Sequence, residues 1–266
     1  MATVSVEFFS DCLKGFTDFK LILPNDLPPF ILGSNPHFNR PMKTLILLHG
    51  YSGSNTDWIY NTRISELAGR YNLAVVCPQG GNSFYLDGPE TGRQYASFIG
   101  RELPAYVSKT FGLSPAGEDV FIGGFSMGGF GAIHTALAFP EQFSKVLSFS
   151  AALIHRNVMA MAPGMQDGVA NYEYYKLMFG EPSALAESVN NPEYLAARLK
   201  AAGRQLPELF MSIGTEDFLY EDNKKFRAFL TEQGIPFTYE EAGGMHNFDT
   251  VSKFLEHGLE FLCGEV

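Results

Sequence analysis

The stretch G-G-F-S-M-G-G-F-G, Gly123 to Gly131, sets five glycines around a single serine. Just before it, E-D-V-F-I reads as a short buried strand; just after it, G-A-I-H-T-A-L-A-F reads as a helix that stops at Pro140. The turn between them is Phe125-Ser126-Met127, and Gly124 to Gly128 fits the spacing G-x-S-x-G. A serine at the apex of so sharp a turn is held in a strained conformation. The residues two before and two after it face neighbouring backbone, where a Cβ would clash, and glycine removes that clash. A glycine-softened loop with an incidental serine would account for the pentapeptide alone, but not for its place between a strand and a helix.

Outward from this turn the chain alternates. Apolar and β-branched runs at Val4 to Phe9, Phe19 to Leu23, Thr44 to Leu48, Leu73 to Cys77, Val120 to Ile122, Val146 to Phe149, Leu209 to Ile213 and Pro236 to Tyr239 predict strands. Helical spacing predicts helices over Thr62 to Tyr71, Gly92 to Phe111, Met127 to Phe139, Glu221 to Gln233 and Asp249 to Leu262. Repeated β-α alternation implies an α/β fold, a mostly parallel central sheet with helices on both faces. The first two runs are separated only by turn residues such as Asp11 and Gly15, which predicts an antiparallel edge. From about Ala152 to Pro207 the rhythm breaks for longer than an ordinary loop. We read 152–207 as a small helical cap inserted in a single domain spanning 1–266, at the strand ends where open α/β sheets bind ligands.

Composition narrows the function classes. Lys plus Arg is 19 against 29 for Asp plus Glu, a net charge of -10, and no basic run offers cations to replace phosphate counterions, so a nucleic-acid partner is disfavoured. The three cysteines, Cys12, Cys77 and Cys263, are odd in number and carry no C-x-x-C spacing, which fits a reduced, cytoplasmic setting. The N-terminus lacks the basic and apolar regions of a secretory signal. No apolar run reaches the ~20 residues a bilayer span needs. There is no H-E-x-x-H, no clustered His/Cys spacing and no G-x-G-x-x-G after the first strand, so neither metal nor organic cofactor is expected.

A serine is a weak nucleophile without a base and an orienting acid. Of the six histidines, His134 and His257 fall inside helices, and His49 sits in a tight turn where a structural hydrogen bond is the ordinary role. His246 lies in the loop E-A-G-G-M-H-N-F-D after the last strand, where Gly243-Gly244 permits a sharp path over the sheet edge. For the acid, Gly214-Thr-Glu-Asp217 follows the strand Leu209 to Ile213, so both Asp217 and Glu216 come near the same rim. Serine, acid, histidine is the chain order of the α/β-hydrolases. Such sites also need two N–H donors for a developing oxyanion. One comes from the residue after the nucleophile, Met127; for the other, the loop H-G-Y-S-G after an early strand supplies Tyr51.

L-L-H-G-Y-S-G-S-N-T-D-W, N-L-A-V-V-C-P-Q-G-G-N-S-F-Y, F-I-G-G-F-S-M-G-G-F-G-A-I and G-T-E-D-F-L-Y together closely resemble the α/β-hydrolase family that holds tributyrin esterases, bacterial feruloyl (cinnamoyl) esterases, S-formylglutathione hydrolase and the mycolyltransferase antigens. The resemblance covers the chain from about residue 40 and is nearest to the tributyrin and cinnamoyl branch, which carries the N-S-F-Y element. It implies a serine carboxylesterase with Ser126, Asp217 and His246 as its triad, acting on short-chain acyl or hydroxycinnamoyl esters. Within G-T-E-D-F it favours Asp217 over Glu216. S-formylglutathione hydrolases usually carry histidine before the nucleophile, where this chain has Phe125. Thioester hydrolysis and acyl transfer would use the same triad and stay open, as does a homo-oligomer; a non-catalytic binding module commonly loses a triad member. Phe84, Tyr85, Phe125, Tyr172 and Tyr175 are the expected substrate wall, adaptable aromatic surface for a small-molecule ester.

Overall fold

A computed structural model describes residues 1–33, 35–88 and 90–264. Eight strands form its sheet: β1 (Ala2–Ser10), β2 (Gly15–Leu23), β3 (Lys43–Leu48), β4 (Leu73–Pro78), β7 (Val120–Phe125), β8 (Lys145–Phe149), β9 (Glu208–Gly214) and β10 (Thr238–Ala242). A separate two-residue ribbon pairs β5 (Asp87–Gly88) with β6 (Arg93–Gln94). Across the sheet the order is β1-β2-β4-β3-β7-β8-β9-β10. From β4 to β10 every pairing is parallel. β2 meets β4 antiparallel, and the hairpin of β1 with β2 runs in register from Ala2↔Leu23 to Ser10↔Gly15.

The burial of each strand explains its sequence. The β4 run L-A-V-V-C-P is buried throughout, as is V-F-I-G-G-F in β7, because parallel strands are covered on both faces and carry continuous apolar runs. Side chains alternate across the sheet, so β3 sends Leu45 and Leu47 to one core and Ile46 and Leu48 to the other. The first core receives Trp58, helix Ile64–Arg70 through Leu67, and helix Phe248–Cys263 through Phe254 and Leu259. The second receives helix Met127–Ala138, whose Phe130 and Ile133 are almost fully buried.

The expected antiparallel edge is present, extended at the hairpin end down to Gly15. At the opposite edge the last strand differs from its reading: β10 covers Thr238–Ala242 rather than Pro236 to Tyr239. Glu240 and Glu241 are tolerated there because an outermost strand is only half covered, and their charge hides the strand from an apolar-run search. The expected helix from Gly92 begins instead at Tyr95, after β6, and passes through a π-turn at Phe98–Glu102 before running on as Leu103–Phe111.

Between β8 and β9 the long excursion has two parts. Helices His155–Met159 and Tyr172–Phe179 lie over the C-terminal strand ends. Helix Pro192–Ala201 instead joins the layer on the sheet, with Ala196 fully buried in the same core as helix Met127–Ala138. His134 from that layer bonds the Val189 carbonyl through Nε2 at 2.9 Å.

Candidate active site

Ser126 stands between the end of β7 and the start of helix Met127–Ala138 with φ +59° and ψ -118°. A Cβ on Gly124 would lie 2.2 Å from the Gly128 carbonyl oxygen, and one on Gly128 would lie 2.2 Å from that of Leu48. Glycine at both positions is therefore a steric requirement of the turn. Backbone bonds pin the strained serine: its N–H donates to Phe149 O at 3.0 Å, and its carbonyl accepts from Phe130 at 3.1 Å and Ala152 at 2.9 Å.

His246 reaches the serine from the loop after β10. Its Nε2 lies 2.9 Å from Ser126 Oγ, and its Nδ1 lies 2.8 Å from Asp217 Oδ2. Asp217 has a fully buried side chain, and its Oδ1 accepts the N–H of Leu219 at 2.8 Å. Glu216 turns the other way: its carboxylate accepts from Gly244 N–H and from Thr215 Oγ1, so it braces the glycine loop and does not reach the imidazole. Two rings clasp His246, Phe125 stacked at 4.6 Å and Phe218 tilted at 4.5 Å.

Loop His49–Gly53 borders the serine on its other side; a Cβ on Gly50 would lie 3.4 Å from Ser126 Cβ. His49 is structural. Its Nδ1–H donates to Gly50 O at 2.7 Å, its Nε2 accepts the Gly80 N–H at 2.9 Å, and burial lowers its pKa, so the neutral ring fits both bonds. Among the described residues the N–H groups of Tyr51 and Met127 donate to no protein acceptor.

Ser126, His246, Tyr51 and Met127 all open on one cavity of about 550 Å³. Of the expected wall residues, Phe84 and Tyr175 line it. Phe125 does not; it packs between His246 and Phe248. Tyr85 is fully buried beneath the His49 loop, and Tyr172 directs its hydroxyl to Glu181, so neither lines the cavity. Ile154, Asp167, Val169, Phe218 and the pair Asn157–Asp222, bonded at 3.0 Å, also line it, though no sequence motif singles them out. Phe218 carries a signal: an apolar residue directly after Asp217, 71% exposed on the rim. Among the described residues no group of three or more His, Cys, Asp or Glu could hold a metal ion, and no helix is long and apolar enough to cross a membrane.

Comparison with known proteins identifies the family of the chain. The family model described as "Putative esterase" matches residues 17–251. An acetyl esterase of Caldicellulosiruptor saccharolyticus is 35% identical over 98% of both chains. Among solved structures, the fluorophosphonate-binding serine hydrolase F of Staphylococcus aureus superposes with a TM-score of 0.84 at 29% identity over 99% of both chains. An S-formylglutathione hydrolase of the same organism gives 0.81 at 29% identity over 98% of both. With its sheet order, its strained serine between strand and helix, and these matches along nearly its whole length, the chain belongs to this esterase family of α/β-hydrolase fold, enzymes that cleave carboxylic esters.

Proposed function

We propose that the protein hydrolyses short-chain acyl esters through a Ser126–His246–Asp217 triad and an acyl-enzyme. The observation that carries this reading is the continuous hydrogen-bonded chain from the buried Asp217 carboxylate through His246 to Ser126 Oγ, opening on a cavity of about 550 Å³. Ser126 Oγ attacks the ester carbonyl while His246 Nε2 takes its proton; Asp217 holds Nδ1–H and stabilises the imidazolium. The N–H groups of Tyr51 and Met127 receive the oxyanion. The imidazolium then protonates the departing alcohol, and water, deprotonated by the same histidine, releases the acid.

The walls of the cavity, Phe84, Ile154, Val169 and Tyr175, suit an acyl chain of a few carbons or a hydroxycinnamoyl ring, with the first part of the excursion acting as cap. The resemblance to an S-formylglutathione hydrolase at 29% identity favours thioester cleavage as a second reading. Against it, Asp167 and Asp222 line the cavity, and a glutathione thioester brings carboxylates of its own. A panel of p-nitrophenyl esters of graded chain length, with methyl ferulate and S-formylglutathione, decides among them; kcat/KM is expected to peak at two to four acyl carbons. Ser126→Ala should lower kcat by about 10⁴ or more while circular dichroism stays unchanged. A folded variant that keeps a tenth of wild-type turnover overturns the assignment.

A further inference from the structure

Of the sequence element N-S-F-Y, Asn82 to Tyr85, only Phe84 contributes to the cavity wall. Its neighbours are engaged elsewhere. Asn82 Oδ1 accepts the N–H of Ser52 at 2.7 Å, and the Tyr85 hydroxyl donates to the carbonyl of His49 at 3.1 Å. Gly80, two residues ahead of Asn82, donates its N–H to His49 Nε2 at 2.9 Å. These three bonds fall on the residues immediately flanking Gly50 and Tyr51, and among the described residues leave the Tyr51 N–H itself without a protein acceptor.

The strut is itself built to be stiff. Ser83 Oγ donates to Gly80 O at 2.7 Å and accepts the Tyr85 N–H at 3.0 Å, closing the segment on itself. Phe84 and Tyr85 are successive non-glycine residues at φ +51° and +54°, a conformation that persists only where surroundings impose it. The Tyr85 ring is fully buried in the space left by the missing side chains of Gly80 and Gly131. From the excursion, the Tyr174 hydroxyl donates to the Asn82 carbonyl, and its ring meets that of Tyr51 edge-on at 5.9 Å.

We infer that Asn82 and Tyr85 are positioning residues for oxyanion binding: they fix both ends of the Gly50–Tyr51 peptide so that the Tyr51 N–H is aimed before substrate arrives. A donor already in place requires no reorganisation as charge develops, and that is where an oxyanion site gains its advantage. The inference rests on the reading that Tyr51 N–H receives the oxyanion. Neither Asn82 nor Tyr85 lines the cavity, so their loss should spare binding of the uncharged ester and penalise the tetrahedral state.

The test is the kinetics of Asn82→Ala and Tyr85→Phe on a short p-nitrophenyl ester, alongside inhibition by a short alkyl trifluoromethyl ketone. Adding Ser126 Oγ to that ketone, with the serine proton passing to His246, leaves a stable oxyanion in the same place. Asn82→Ala should lower kcat about 10- to 100-fold with KM within about twofold, and weaken the ketone by the same factor as kcat. Tyr85→Phe, which removes one hydroxyl from a packed ring, should move both in the same direction by about three- to tenfold, and decides the matter if Asn82→Ala does not fold. If kcat and ketone affinity stay within twofold of wild type, or if KM alone rises, the strut is overturned. Ser126→Ala measured in parallel separates the two levels. An inactive Ser126→Ala beside an unaffected Asn82→Ala removes the strut alone, whereas an active Ser126→Ala removes the triad reading and the strut with it.

Discussion

Asp217 and Glu216 are adjacent acids with opposite surroundings. Asp217 is buried, bonded to the His246 ring and to the Leu219 N–H; Glu216 holds the backbone of Gly244. Asp217→Asn preserves the shape of the site but presents an amide to Nδ1, favouring the wrong imidazole tautomer. It should lower kcat by roughly 10⁴. Glu216→Gln keeps an oxygen for the Gly244 N–H and should cost less than about tenfold. Steady-state kinetics at pH 7 and saturating ester check both; a crippled Glu216→Gln beside a normal Asp217→Asn would show that the acid is misassigned. The choice was readable only in part from the residues, because two neighbours in a loop can each turn toward the histidine. Side-chain direction there is fixed by Gly244, whose N–H captures one of the two carboxylates, and no local pattern announces that capture.

At the scale of elements, legibility followed burial. β4 and β7, covered on both faces, stand out in the sequence as unbroken apolar runs, and the serine turn between β7 and its helix is marked by glycines that sterics demand. β10 is harder to see because a half-covered edge strand can carry Glu240 and Glu241. The excursion was visible as an interruption, but not its division. Helix Pro192–Ala201 carries small and apolar residues on the face that meets helix Met127–Ala138, and nothing local distinguishes that from a cap helix. Aromatic residues were the least legible. Tyr85, Tyr172 and Phe125 share the composition of a substrate wall with Phe84 and Tyr175, yet their hydroxyls and rings are taken by His49, Glu181 and His246. An aromatic side chain fits a core, a brace or a pocket equally well, and only the neighbours decide.

For the whole molecule, three buried histidines couple stability to acid. His134 is pushed down to about 4 by burial, and burial also lowers His49 and His37. Unfolded, each titrates near 6.5. Between about pH 6.5 and 4 the unfolded chain therefore binds protons that the folded chain refuses, so stability is highest above that window and is lost as pH falls through it. His134 alone should account for about 2 kcal/mol between pH 7 and pH 5. Urea denaturation at the two pH values measures the loss, and His134→Gln should flatten the slope; an unchanged slope would mean that His134 titrates normally in the fold.

Non-glycine residues at positive φ gather at one end of this molecule. Of seven among the described residues, Ser52, Phe84, Tyr85, Ser126 and Ser150 belong to segments that build or flank the Ser126 turn and its facing loop; only Lys14 and Asn72 lie elsewhere. Each is held against a local preference of roughly 1–3 kcal/mol. A laboratory selection that rewards melting temperature alone would therefore be drawn to glycine at positions such as 52 and 150, where relief of strain is within reach of a single replacement and no buried ring is lost. Its winners would be robust proteins with a loosened reaction centre, so any screen for heat-tolerant variants of this enzyme has to score turnover in the same well.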